Sequence, residues 1–94
     1  MIRDSDRPRL APKAKLRLDK KTGQQVLLYP EKGLVLNPTA ARILSLCDGE
    51  RTLADVVAAL KAEYTDGDVA TLGEQARSFL ESLAERGLLE GVSR

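Results

Sequence analysis

The chain carries few residues that could make or break bonds. It has no histidine, so the commonest general base and the commonest metal ligand are both missing. Cys47 is its single cysteine. It falls on the inward side of a helical pattern, between Leu46 and Asp48-Gly49, with no imidazole to take its proton, and reads as a core thiol rather than a nucleophile. Asp66 and Asp68 have a spacing at which a metal pair can be imagined, but each also suits a helix cap, which needs no further partner. Gly23, Gly33 and Gly49 stand isolated, so no phosphate-cradling loop is present. The expectation is a protein that is not an enzyme and holds no cofactor or metal.

What remains is the chemistry of the main chain, and one stretch is arranged to offer it. Val26 to Tyr29 is apolar and partly β-branched or aromatic, as strands prefer. Pro30 to Gly33 supplies turn residues, and Leu34-Val35-Leu36 resumes the apolar run. Asn37-Pro38 then starts a helix, Asn as N-cap and Pro at the first helical position. A short strand thus feeds directly into a helix. If that strand lies at a sheet edge, its unpaired N–H and C=O groups can receive another chain.

The elements around it follow from hydrophobic period. Lys15 to Asp19 alternates polar and apolar residues, the mark of a half-buried strand, and Lys20 to Gln24 makes a hairpin loop. Gln25 to Tyr29 alternates less cleanly because Leu27 and Leu28 are adjacent, which suggests a middle strand covered on both faces. Gly33 to Leu36 completes a three-stranded antiparallel meander. Three helices follow. The first, about Pro38 to Cys47, turns Ala40 or Ala41, Ile43, Leu44 and Cys47 inward, with Gly49 just past its end. Thr52-Leu53-Ala54-Asp55 is a capping box in its acidic variant, and Leu53, Val56, Val57, Leu60 and Tyr64 form one apolar stripe. After a break at Thr65 to Asp68, a third helix, about Asp68 to Arg86, carries Val69, Leu72, Ala76, Phe79, Leu80 and Leu83 on one face. Gly87 ends it, and Leu88-Leu89 pack back on the core. The fold class is α+β and winged-helix-like, a three-stranded antiparallel sheet followed by three helices.

Ninety-four residues make one small domain. Residues 1–21 hold eight bases and three acids, a charge of +5, and the remaining residues sum to −4. Residues 1–13 contain Pro8 and Pro12 and show no period. They read as a flexible basic N-terminal arm, ahead of a single winged-helix-like domain over residues 14–90. No run approaches the roughly 18 apolar residues of a membrane span. Met1 to Pro8 lacks the apolar core of a signal peptide. A lone cysteine excludes an internal disulfide and suits a reducing compartment. The expectation is a cytoplasmic protein without membrane contact, a monomer or a weak homodimer through its edge strands.

Two kinds of partner suit such a layout. A DNA-binding winged helix needs a basic recognition helix, whereas the third helix offers only Arg77 and Arg86 against Glu74, Glu81 and Glu85, so nucleic acid is not expected. A peptide fits better. The edge strand Gly33, Leu34, Val35 and Leu36 beside a long helix forms a trough, with Gly73, Arg77, Leu80, Glu81 and Ala84 as candidate walls on the helix. In this reading Arg77 pairs with an acidic guest residue; as a plain surface residue it pairs with Glu81 for only tenths of a kcal/mol.

Over about Arg7 to Leu89 the chain resembles the pyrroloquinoline quinone (PQQ) biosynthesis protein D (PqqD) family. The resemblance rests on Pro8-Arg9-Leu10-Ala11-Pro12, Arg17-Leu18, Val26-Leu27-Leu28-Tyr29-Pro30-Glu31, Leu36-Asn37-Pro38-Thr39-Ala40, Ile43-Leu44, Cys47-Asp48-Gly49 and Arg51-Thr52, in that order. It implies a non-enzymatic RiPP precursor peptide recognition element. The implied role is a chaperone that binds the precursor peptide PqqA as a strand added to the third strand, beside the third helix. It then presents the peptide to the radical S-adenosylmethionine (SAM) enzyme PqqE. Iron–sulfur clusters and S-adenosylmethionine belong, on this resemblance, to that partner.

Overall fold

A computed structural model describes residues 2–30, 32–64 and 69–92. The elements run β1 (Arg9–Leu10), β2 (Lys15–Leu18), β3 (Gln25–Tyr29), β4 (Lys32–Leu36), α1 (Pro38–Leu46), α2 (Leu53–Glu63), α3 (Val69–Glu85) and β5 (Leu89–Glu90). Strands β2, β3 and β4 form the expected antiparallel meander in that spatial order, so the chain is α+β with three helices after the sheet. A second sheet pairs β1 with β5, Leu10 opposite Leu89, and was not anticipated. The expected caps at Asp66 and Asp68 lie outside the described residues, as does part of the turn between β3 and β4.

Local chemistry explains where the helices start. Asn37 caps α1, its side-chain oxygen accepting from the Ala40 amide at 2.8 Å, with Pro38 next. At α2 the capping box is complete: the Thr52 hydroxyl accepts from the Asp55 amide and the Asp55 carboxylate from the Thr52 amide, both at 3.1 Å. The two remaining orphan donors of that first turn find backbone acceptors far away in sequence. Leu53 donates to the Asp6 carbonyl at 2.8 Å and Ala54 to the Asp4 carbonyl at 3.1 Å. Every free amide at the start of α2 is thereby satisfied, two of them by the N-terminal segment.

That segment is where the structure departs most from expectation. Residues 2–13, read as an arm separate from a domain beginning near Ala14, are tied into the body. Ile2 is 3% exposed and Pro8 is fully buried. Arg7 donates to the Gly91 carbonyl at 3.1 Å, Ala11 to the Leu88 carbonyl at 2.9 Å, and Gly49 donates to the Pro8 carbonyl at 3.0 Å. Two glycines make this docking possible. At Gly91 (φ +74°) a Cβ would sit 2.1 Å from the Arg7 carbonyl oxygen, a backbone atom that cannot step aside. Gly49 (φ +82°) is not the residue that ends α1, whose cap is Cys47; it turns the following loop under Pro8 and Arg9.

The core is aliphatic. Leu27, Leu53, Val56, Leu60, Ala76, Leu80, Leu83, Leu88 and Leu89 are all at most 1% exposed, as the apolar stripes of the three helices require. Helix α1 packs on β3 and β4, and α3 packs on α2 and β5. The sheet therefore has one covered face. Leu27 lies on it, but Leu28 is 44% exposed. The expectation that β3 is covered on both faces fails, because no element packs on the outer side among the described residues.

Candidate functional site

Cys47 is buried and its thiol donates to the Ile43 carbonyl at 3.2 Å. Burial pushes its pKa up to about 12, with the nearby Asp48 charge adding to the shift, so it is protonated and inert at neutral pH. Asp48 goes the other way. Hydrogen bonds from the Arg51 and Glu50 amides hold its carboxyl below the ordinary value; it is a loop cap. No group of three potential metal ligands occurs among the described residues, and the imagined Asp66–Asp68 pair lies outside them. No described helix is long and apolar enough to cross a membrane.

The sheet edge is open. β4 pairs with β3 through Tyr29↔Lys32, Leu28↔Gly33, Leu27↔Leu34, Val26↔Val35 and Gln25↔Leu36, and no described strand lies on its far side. Only residues 30 and 31 separate Tyr29 from Lys32. A two-residue turn closes on a hydrogen-bonded pair, and such pairs alternate along an antiparallel ladder. Leu34 and Leu36 therefore direct their backbone groups toward β3, while Gly33 and Val35 direct theirs outward. The side chains alternate in the same rhythm: Leu36 is buried and Leu34 half-buried on the covered face, and Val35 stands exposed on the other.

Four of the five helix residues expected to face this edge are engaged elsewhere. Leu80 and Ala84 are buried in the core at 0% and 5% exposure. Gly73 abuts α2, since a Cβ there would lie 3.4 Å from a Val57 methyl. Arg77 holds the N-terminal segment, its guanidinium donating to the Ile2 carbonyl at 3.3 Å and to the Asp4 carboxylate. Glu81 is half-buried on the same flank. A shallow cleft of about 330 Å³, lined by Asp4, Ala54, Val57, Ala58, Lys61 and Arg77, runs along this seam between α2 and α3. The opposite flank of α3 carries Leu72 and Phe79, both half-buried against the core; Phe79 lies about 160° around the helix from Arg77 at 3.6 residues per turn. The helical period puts Leu72 and Phe79 on the core stripe and offers the Arg77 flank as the trough wall, a flank that the N-terminal segment partly covers. Ile2, apolar in a basic segment, is the signal that something covers the Arg77 side.

A second cleft, of about 260 Å³, opens where β4 meets α1. It is lined by Gly23, Gln24, Gln25, Leu36, Pro38 and Ala41. The arrangement can pair backbone and bury apolar side chains, and no catalytic constellation occurs among the described residues.

Comparison with known proteins agrees. Residues 24–89 match the family described as "Coenzyme PQQ synthesis protein D (PqqD)". A "PqqA binding protein" of Rhodopseudomonas palustris (strain HaA2) is 38% identical over 88 residues, covering 94% of this chain and 85% of that one. Another, of Rhizobium meliloti (strain 1021), is 38% identical over 92 residues and covers 98% and 93%. Among solved structures, the PqqD truncation of Methylobacterium extorquens PqqCD, described as a functional, stand-alone RiPP recognition element, superposes with a TM-score of 0.78 at 32% identity, over 96% of this chain and 95% of that one. TbiB1 in complex with the TbiA(beta) leader peptide gives 0.73 at 27% identity, over 92% and 99%. These relatives are peptide-binding proteins rather than catalysts. Family match, identity and fold together make this chain a member of the PqqD family.

Proposed function

We propose that this chain is a non-enzymatic peptide chaperone of PQQ biosynthesis, which binds the precursor peptide PqqA by strand addition along β4 and presents it to the radical SAM enzyme PqqE in the cytoplasm. The observation that carries the reading is the open edge of β4, where Gly33 and Val35 aim unpaired backbone outward. Main-chain bonds to these two residues set the register of a guest. Alternate guest side chains then turn toward Leu34 and the Leu72–Phe79 flank of α3, which replaces the Arg77 flank as the helix wall. The names of the relatives, PqqA binding proteins and a leader-peptide complex, support a peptide of this kind as the guest.

Calorimetric titration of PqqA into the protein tests this. A Kd at or below micromolar corresponds to about 8 kcal/mol or more and is the expected result, with PqqE added afterwards forming a three-component complex on a sizing column. No heat and no co-elution at protein concentrations of hundreds of micromolar would remove the proposal.

A further inference from the structure

No described element packs on the outer face of the three-stranded sheet. The register places Val26 and Leu28 of β3 and Val35 of β4 on it, with Lys15 and Arg17 of β2 opposite Leu28 and Val26. Leu28 is 44% and Val35 59% exposed, two of the three large apolar side chains that stand exposed among the described residues. Between them lies Gly33, closed over by Leu28 and Val26, whose side chains come within 3.1 and 3.3 Å of where its Cβ would be. The three side chains thus form one continuous apolar strip rather than scattered exposed residues, and a contiguous strip marks an interaction surface. Its border is positive. Arg9, Arg42, Arg51 and Arg77 each have a carboxylate partner, whereas Lys15 and Arg17 have none among the described residues.

The geometry points to this face as the docking surface for a protein that presents an apolar patch edged with carboxylates. A second copy of this chain does not fit. Twofold pairing of the face would set Lys15 and Arg17 against each other or strip their water against the partner's apolar strip, and both cost affinity. The occupant is instead a protein that works on the guest, and here the inference rests on the proposed strand addition. A strand added to β4 extends the sheet, so every second guest side chain stands on this same outer face, one strand spacing of about 4.8 Å beyond Val35. A protein seated on Leu28, Lys15 and Arg17 therefore touches the guest without displacing it, whereas one seated on α3 would compete with it.

Two variants test the surface, Lys15→Glu/Arg17→Glu and Leu28→Thr, each titrated separately with PqqA and with PqqE. None of the three positions contributes to the proposed guest site. The expected result is PqqA affinity within twofold of the parent and PqqE affinity reduced at least about tenfold in both variants. PqqE binding that is absent from the parent, or unchanged in both variants, overturns the inference. Loss of PqqA and PqqE together in both variants overturns the separation of the two surfaces. A parent that binds PqqE but not PqqA, with PqqE lost in the variants, sustains the docking face and removes the strand-addition reading.

Discussion

Replacing Val35 by proline separates the two directions in which β4 uses its backbone. The register gives Val35 an amide that points away from β3, and Leu34 one that points toward Leu27. Proline at 35 therefore deletes a donor to the guest and leaves the β3–β4 ladder whole; edge positions whose amide faces solvent are where strands accept proline. The lost hydrogen bond is worth about 0.5–1.5 kcal/mol net, or about 1–3 kcal/mol if the guest carbonyl is left buried without a partner. At 1.4 kcal/mol per tenfold, PqqA affinity should fall by about 2- to 150-fold, with the melting temperature near that of the parent. Leu34→Pro should do the reverse and lower the melting temperature by removing a ladder bond. Calorimetry and a thermal melt on each variant read both quantities. Unchanged PqqA affinity in Val35→Pro, with the fold intact, would refute strand addition at this edge.

Other expectations follow from the same geometry. Arg77→Ala should leave PqqA affinity within twofold and cost no more than about 1 kcal/mol in urea unfolding, since its pair with Asp4 is partly solvated at 36% and 69% exposure; a tenfold loss of affinity would return Arg77 to the guest site. Gly91→Ala should destabilise the protein by at least about 1–2 kcal/mol for the left-handed backbone alone. It should also speed hydrogen exchange at Arg7, Leu53 and Ala54 as the N-terminal segment lifts. Cys47 should resist thiol reagents at pH 8 until the protein unfolds. Its pKa rises from 9.0 to about 12 on folding, so above pH 9 the unfolded chain releases a proton that the folded one keeps. The Cys47 contribution to stability should then be flat below that pH and fall by up to about 1.4 kcal/mol per unit between pH 9 and 12, a slope that Cys47→Ala removes.

The sequence was most legible where local chemistry decides structure. Asn37-Pro38 and Thr52 to Asp55 name their caps by residue type, and the stripe through Leu53, Val56 and Leu60 allows one inward face. Strand alternation also located the edge at Gly33 to Leu36. Long-range pairing was not legible. Pairing β1 with β5 joins Leu10 to Leu89, and two carbonyls of the N-terminal segment cap a helix some fifty residues on; no local period encodes either. Basic charge and two prolines suggested an arm apart from the body, while the buried Ile2 and Pro8 carried the opposite message in single residues. The expectation of a trough wall on the Arg77 flank has the same origin. Both flanks of α3 border the core stripe, and only the docked segment at Arg77 and the α2 contact at Gly73 reveal which one is taken. Adjacent Leu27 and Leu28 suggest burial on both faces, yet one of them belongs to an outer strip that the described residues leave uncovered.

Backbone amide mapping of isotope-labelled protein during PqqA titration addresses the central claim most directly. In the free protein the amides of Leu34 and Leu36 should already exchange slowly, and those of Gly33 and Val35 rapidly. On adding PqqA, Gly33 and Val35 should shift and become protected, accompanied by Leu72 and Phe79. Shifts confined to residues 2–11 and the Arg77 side of α3, with Gly33 and Val35 still exchanging freely, would contradict the account.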